Sequence, residues 1–411
     1  GANRQRLFWV AAGTQGEYKM ENARLVGTTE KFRIWLTDNA QVPTSFAVDA
    51  VAQVEDSLDS GVLRALCEHL AAKYSLPWPV DVLFTPIKTA GGYFYSADQW
   101  DPGSHPFSNA TNIIYVSSAS CNDSTGCSSP LVAHELQHLL QFFLDPQEET
   151  WLNEGLSKIV EGEVSDEAIA EPEALPSRSN FPLLHWPANP APSGDHYRAA
   201  LSLITLWRDR YGQGALDDVA TSTKRGAAAF DHLLLSRGYS KGFDDLFREW
   251  ITTQFLQRMF SDLAKSSDAI ESRNACKSTH LLSTSGTVTD TVSQYGCDYI
   301  LLQPRSEASV DFYGKRAASV VPVQPHSGTS FWWSNRIPQA HATLTRSVDL
   351  TDAQHAHLQF WVWYDIEPWY DWAYVAASEN MGETWQLLQS EQTTTKCGKI
   401  LRNLVIGVEY L

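Results

Sequence analysis

The run His134-Glu135-Leu136-Gln137-His138 sets two imidazoles four residues apart with a carboxylate between them. On a helix that spacing stacks the imidazoles one turn apart on a single face. Both rings can then reach one metal ion, and Glu135 stands beside them, placed to take a proton from a water activated there. A hydrolytic zinc site needs three protein ligands and one open position. Glu154, in Trp151-Leu152-Asn153-Glu154-Gly155-Leu156-Ser157, supplies a third ligand 16 positions after His138. The separation suits a second helix packed antiparallel to the first, with Asp145-Pro146 as the break between them. His134, His138 and Glu154 are thus the expected metal ligands, Zn2+ the expected ion, and Glu135 the expected general base. No Gly-x-Ser-x-Gly elbow points to a serine hydrolase instead.

Such a site needs elements rigid enough to hold polar groups out of water. Leu131, Val132, Leu136, Leu139, Leu140 and Phe143 give the first helix an apolar surface. Upstream, residues 5–37 alternate apolar and polar positions and read as two or three strands, and helical spacing runs from about 45 to 73. Residues 80–87 and 112–116 read as buried strands, with Ala90-Gly91-Gly92-Tyr93-Phe94 a turn into a short strand between them. Helical stretches are expected at 131–144, 151–163, 195–211, 215–222, 227–237 and 243–265. The Pro-rich segment 171–193 reads as a long loop or lid. From about residue 283 the chain turns to Thr, Val, Ser, Tyr and Trp in strand-length runs, which reads as an all-β sandwich or jelly roll. The expected fold class is α+β. A mixed strand-and-helix domain over 1–272 would precede a β-sandwich over 283–411.

The 411 residues exceed one ordinary core, and 43% hydrophobic with 19% charged residues is a globular composition. No run approaches the roughly 20 apolar residues of a membrane helix. A formal charge of −17 disfavours phosphate backbones, so nucleic acid is excluded as a partner and a protein or peptide substrate is expected, bound by a monomer. The opening at Gly1 reads as a processed product or a fragment. Of six cysteines, Cys121 and Cys127 flank a tight polar stretch, and Cys276 and Cys297 bracket a Ser/Thr/Gly-rich one. Local disulfides in both places would suit an oxidising compartment.

Taken together, HELQHLLQ and TWLNEGLS resemble the gluzincin metallopeptidases, nearest to the hyicolysin-like bacterial secreted enzymes. Gly92-Tyr93-Phe94-Tyr95-Ser96, His105-Pro106-Phe107-Ser108-Asn109 and the stretch from Asp195 to Leu201 are similar to segments of the same proteins. The resemblance implies a zincin-like fold, secretion, a peptide substrate and the ligand set above, with Asn153 orienting His138. It also implies a donor for the oxyanion, either Tyr197, similar to the catalytic tyrosine of zinc aminopeptidases, or its neighbour His196. His185 is expected on a surface loop. One position departs from the pattern. Where thermolysin-like members carry an acidic residue that fixes the first histidine, this chain has Lys158, expected to point to solvent. Glu161 or a backbone carbonyl would then orient His134.

Further on, Leu344 to Leu350 and the stretch from Phe360 through Val375 to Trp385 resemble the β-sandwich of immune inhibitor A-like peptidases. Asp365, Glu367 and Asp371 are candidate ligands for a structural Ca2+ ion. After Thr395 the pattern is lost, and the sandwich reads as short of its final strands. The resulting expectation is a secreted zinc endopeptidase. The alternatives are an inactive zincin-fold binding or adhesion protein, favoured only by Lys158, and a zinc aminopeptidase, disfavoured because no GxMEN motif is present to anchor a free amino terminus.

Overall fold

The computed structural model describes residues 4–12, 17–88, 90–102, 105–121, 126–165, 182–186, 194–265, 280–282, 286–298, 300–302, 307, 309–315, 317–334, 342–365, 373–388 and 405–406. The chain groups into two compact units; the first runs to residue 308, and most residues beyond 308 belong to the second. The compositional change at 272–283 lies ahead of that division.

Alternation in the sequence builds the first unit around one mixed sheet. Strands β1 (Gln5–Ala11), β2 (Tyr18–Thr28), β3 (Phe32–Thr37), β4 (Val80–Thr85), β5 (Gly92–Phe94) and β6 (Ile113–Ser117) lie in the order β1-β2-β3-β4-β6-β5. β1, β2 and β3 pair antiparallel, β3–β4 and β4–β6 pair parallel, and β5 lies antiparallel to β6 at the edge. The period of two sorts the side chains. Phe32, Ile34, Leu36, Val80, Val82, Phe84, Ile114 and Val116 join the helical core, whereas Phe8, Val10, Trp35, Leu83, Ile113 and Tyr115 form a smaller core on the other face. Asp81 breaks the apolar run of β4 yet is fully buried. It accepts two hydrogen bonds from the Arg33 guanidinium (2.6 and 2.8 Å), one from the Trp35 indole (2.8 Å) and one from Thr111 (2.9 Å), so its charge is paired and its lone pairs are used.

The helices are α1 (Thr44–Asp56), α2 (Gly61–Lys73), α3 (Ser129–Leu144), α4 (Thr150–Val164), α5 (Gly194–Tyr211), α6 (Gln213–Ala220), α7 (Gly226–Ser236) and α8 (Phe243–Lys265). The single helical stretch expected over 45–73 is two helices. A 3-10 turn at Ser57–Asp59 and Gly61, at φ +56, break the run, because only glycine takes that backbone conformation without steric cost. Ser128 caps α3 by accepting from Leu131 N, Pro130 sits in its first turn, and Pro146 follows its end. Val132, Leu136, Leu139 and Leu140 of α3 are fully buried. At about 1.5–3 kcal/mol each, they offset the cost of burying the polar groups on the same helix.

α4 packs against α3 on one side and α5 on the other. Gly155 makes the second contact possible: a Cβ there would lie 2.4 Å from Ile204 Cδ1 and 3.1 Å from Ala200 Cβ. Gly155→Val is expected to cost about 1–3 kcal/mol through overpacking, read as a lower urea midpoint with an unchanged slope. Gly155→Ala should cost less, since about 1 kcal/mol of helix propensity is regained.

Only part of the segment expected to be a loop or lid is described, at residues 182–186; His185 is exposed there, as expected. Cys121 and Cys127 form the expected disulfide. Cys276 lies outside the described residues. Near the end of the first unit, β7 (His280–Leu282) pairs parallel with β8 (Ile300–Leu302). Among the described residues of the second unit, strand is limited to two antiparallel pairs. β9 (Phe360–Trp361) pairs with β12 (Val405–Ile406), and β10 (Ala376–Ala377) with β11 (Gln386–Leu387). These pairs do not amount to the sandwich or jelly roll expected there. The turn between β10 and β11 is well satisfied: Gly382 N donates to Ser378 Oγ (2.9 Å), Thr384 N to Asn380 Oδ1 (2.9 Å) and the Trp385 indole to the Gly382 carbonyl (3.1 Å). The calcium expectation gains no support, since Glu367 and Asp371 lie outside the described residues. Among the described residues no helix is long and apolar enough to cross a membrane.

Candidate metal centre

The period of α3 delivers His134 and His138 to the face that meets α4, and α4 returns Glu154 to the same point. His134 Nε2 lies 3.1 Å from His138 Nε2, and Glu154 Oε2 lies 3.2 and 3.5 Å from the two nitrogens. One ligand atom from each of the three side chains falls within 4.8 Å of the others. Glu154 Oε2 is buried and makes a hydrogen bond of acceptable geometry to neither imidazole, nor to any other group. A buried carboxylate oxygen that converges with two imidazole nitrogens and makes no hydrogen bond is what a divalent cation would satisfy. The donor set, two nitrogens and one oxygen, suits zinc.

Electrostatics agree with that fit. Burial alone would lower the His134 pKa, but the carboxylates of Glu154 and Glu161 beside its ring overcome it and hold the pKa up at about 10. Burial works against the Glu154 carboxylate, and the His138 and His134 imidazoles outweigh it, keeping its pKa well below the usual range. At pH 8 the metal-free protein therefore holds a proton on His134 that a cation must displace. Zinc loading at pH 8 is expected to release about one proton per ion from this group, and affinity should rise with pH up to about 10. Titration calorimetry in two buffers of different ionisation enthalpy measures the release; a buffer-independent heat would contradict it.

The far nitrogens of both rings are held by α4. His134 Nδ1 lies 2.7 Å from Glu161 Oε1. His138 Nδ1 lies 3.2 Å from Asn153 Oδ1 and 3.3 Å from Ser157 Oγ. Such partners fix ring orientation and raise ligand basicity. Lys158 does not point to solvent as expected. Its Nζ donates to both Glu161 oxygens at 2.8 Å and lies 5.5 Å from the centre of the Tyr197 ring. The lysine thus clamps the carboxylate that faces His134. These pairs, His138 with Asn153 and His134 with Glu161, run in opposite senses along the two helices, which makes the packing antiparallel.

Glu135 is 4% exposed, and burial pushes its carboxyl pKa up, partly offset by His134 and His138. A carboxylate raised in this way is a better proton acceptor at neutral pH than an exposed one. Its side chain lies against edge strand β5. A Cβ on Gly92 would sit 2.6 Å from the Tyr115 carbonyl oxygen and 2.8 Å from both Glu135 Cγ and Oε1. The contact with the backbone carbonyl can be relieved only by a shift of β5, and the Glu135 side chain must give way as well. Gly92→Ala is expected to lower kcat about 100-fold with zinc content unchanged, measured by peptide hydrolysis alongside elemental analysis.

The two candidates for an oxyanion donor separate. The Tyr197 ring centre is 6.5 Å from that of His134, and the ring faces Lys158. His196 is buried and packs on Trp186 at 5.3 Å. Trp186 also meets Tyr197 edge-on at 4.9 Å. Burial and the charges of Glu154, Glu135 and Glu161 push the Tyr197 phenol well above its ordinary pKa, so it stays protonated and able to donate.

Ser157, Gln137, Gly92 and Trp186 are not singled out by the motifs. Ser157 is within reach of the sequence, because 153, 157 and 161 repeat every four residues and share one face of α4. Gly92 carries no such signal, since its role is to leave room for a residue 43 positions away.

The immune inhibitor A-like, MAM domain family matches residues 308–400, a stretch that does not include the histidine–glutamate site. No curated protein is matched by the chain. Among solved structures, an M1 zinc metallopeptidase from Deinococcus radiodurans is similar at 16% identity and a TM-score of 0.34, over 61% of this chain and 52% of that one. The chain thus spans about half the length of that relative, and a superposition so loose says nothing about activity. The family match thus covers the C-terminal stretch, which is similar to the MAM domain of immune inhibitor A-like proteins.

Proposed function

We propose that the chain is a secreted zinc-dependent endopeptidase. The observation that carries this reading is the convergence of His134, His138 and Glu154 on one point, with the buried Glu135 carboxylate next in sequence to His134. Zinc held by those three side chains would supply a Lewis acid and a water acidified to near neutrality. Glu135 accepts the proton of the attacking water and later passes it to the departing amine. Tyr197, kept protonated, donates to the oxygen that gains charge as the carbonyl is attacked. Tyr197 is the better choice for that role because its ring stands 6.5 Å from that of His134, whereas His196 is buried. Glu161, clamped by Lys158, and Asn153 hold the two imidazoles in register. The Cys121–Cys127 disulfide and the immune inhibitor A-like module support an extracellular setting, and the β-sandwich expected over 283–411 belongs to the same proposal.

Casein cleavage tests the reading. Activity should vanish with a chelator and return with added zinc. A substrate blocked at its amino terminus should be cut internally, and release of single amino-terminal residues alone would favour an aminopeptidase. A protein that binds zinc and cleaves nothing would make it a binding module.

A further inference from the structure

We propose that Ser157 is a positioning residue: its hydroxyl, with Gln137 beside it, locks His138 in the tautomer that carries its proton on Nδ1 and leaves the Nε2 lone pair for the point where His134, His138 and Glu154 converge. The inference rests on the metal-site reading above. Ser157 and Gln137 are both fully buried. Ser157 Oγ hydrogen-bonds to Gln137 Oε1, lies 3.0 Å from the Asn153 carbonyl and 3.3 Å from His138 Nδ1. A hydroxyl has one proton to give. Two of its three neighbours are carbonyl oxygens, which only accept, so the proton is drawn to one of them and a lone pair is left facing His138. Turning the Gln137 amide round does not change this outcome. The amide nitrogen would then donate to Ser157, the hydroxyl proton would go to the Asn153 carbonyl, and a second lone pair would still face the imidazole.

Asn153 alone cannot enforce the same result. Its Oδ1 lies 3.2 Å from His138 Nδ1, but a side-chain amide can rotate and present its NH2 group instead. Once Ser157 fixes an N–H on Nδ1, only the oxygen of Asn153 is a compatible partner. The near side of the ring agrees. His134 turns its Nδ1 to Glu161 and its Nε2 to the same point as His138 Nε2, 3.1 Å away. With the Nδ1–H tautomer, the lone pair on His138 Nε2 is the one a metal would use.

The test uses the whole chain and two variants. Ser157→Ala removes the hydroxyl; Ser157→Cys keeps nearly the same volume with a weak acceptor, so one of them reports even if the other folds poorly. Nitrogen-15 histidine spectra of the metal-free protein, at a pH where His138 is neutral, read the tautomer directly, with the resonance assigned by its loss in His138→Gln. The wild type should show only the Nδ1–H form, and both variants a mixture. Zinc affinity by chelator competition should fall about 10-fold in each variant. Variants that keep a single Nδ1–H tautomer would overturn the proposal. A wild type that takes up no zinc would sink the metal-site reading instead, and the metal-free spectra would still decide the role of Ser157.

Discussion

Glu135→Gln is expected to lower kcat/KM for peptide hydrolysis by about 100- to 10,000-fold while zinc content stays at one ion per chain. The substitution keeps the shape of the side chain and removes its ability to accept a proton. Glu135 lies beside the ligand set without joining it, so the metal should be held as before. Burial that raises its pKa also makes it a stronger base, which is why the loss should sit at the upper part of that range. The buried amide of the variant is compatible with the site, because an uncharged group is cheaper to bury than a carboxylate. Elemental analysis and hydrolysis of a fluorogenic peptide together check the result. A variant that cuts as fast as the wild type would remove Glu135 from the chemistry.

Glu154→Ala is expected to weaken zinc binding by more than about 100-fold, beyond the 10- to 100-fold typical of groups that only orient a ligand. Two imidazoles on one helix leave a tetrahedral ion short of a protein ligand, and the deleted carboxylate is the one group in the set that stays ionised across the working pH range. The metal-free form should be affected as well. His134 would keep Glu161 as its partner but lose Glu154, so its raised pKa should fall and the proton released on zinc loading should shrink. Chelator competition measures the affinity. Glu161→Gln offers the internal comparison: its loss should be smaller, since Glu161 touches the far nitrogen of His134 and not the metal point.

Much of the site is legible in the sequence because it obeys one rule twice. Residues four apart on α3 give the histidine pair, and a short break before another helix gives Glu154 at the same level. The strands are legible for a similar reason, since each of β3, β4 and β6 buries alternate residues on opposite faces. The run from 45 to 73 reads as continuous because its apolar spacing persists through Ser57–Asp59, and the positive φ of Gly61 leaves no mark on hydrophobic periodicity. Lys158 reads as a solvent-facing departure because its partner sits one turn further along the same helix. An i, i+3 ion pair with Glu161 converts an apparent mismatch into a clamp. The C-terminal stretch is the least legible. Its aromatic residues fit a strand pattern, yet many are exposed among the described residues, Tyr374 and Trp385 included, so alternation there does not by itself give a sandwich core among those residues.

Zinc-edge X-ray absorption of the purified chain is the most direct measurement of the central claim. One zinc per chain is expected, with a nitrogen and oxygen shell at about 2.0–2.2 Å, outer scattering from two imidazole rings, and loss of the signal in Glu154→Ala. No tightly held zinc after incubation with the ion, or a sulfur shell at about 2.3 Å in place of the imidazoles, would contradict it.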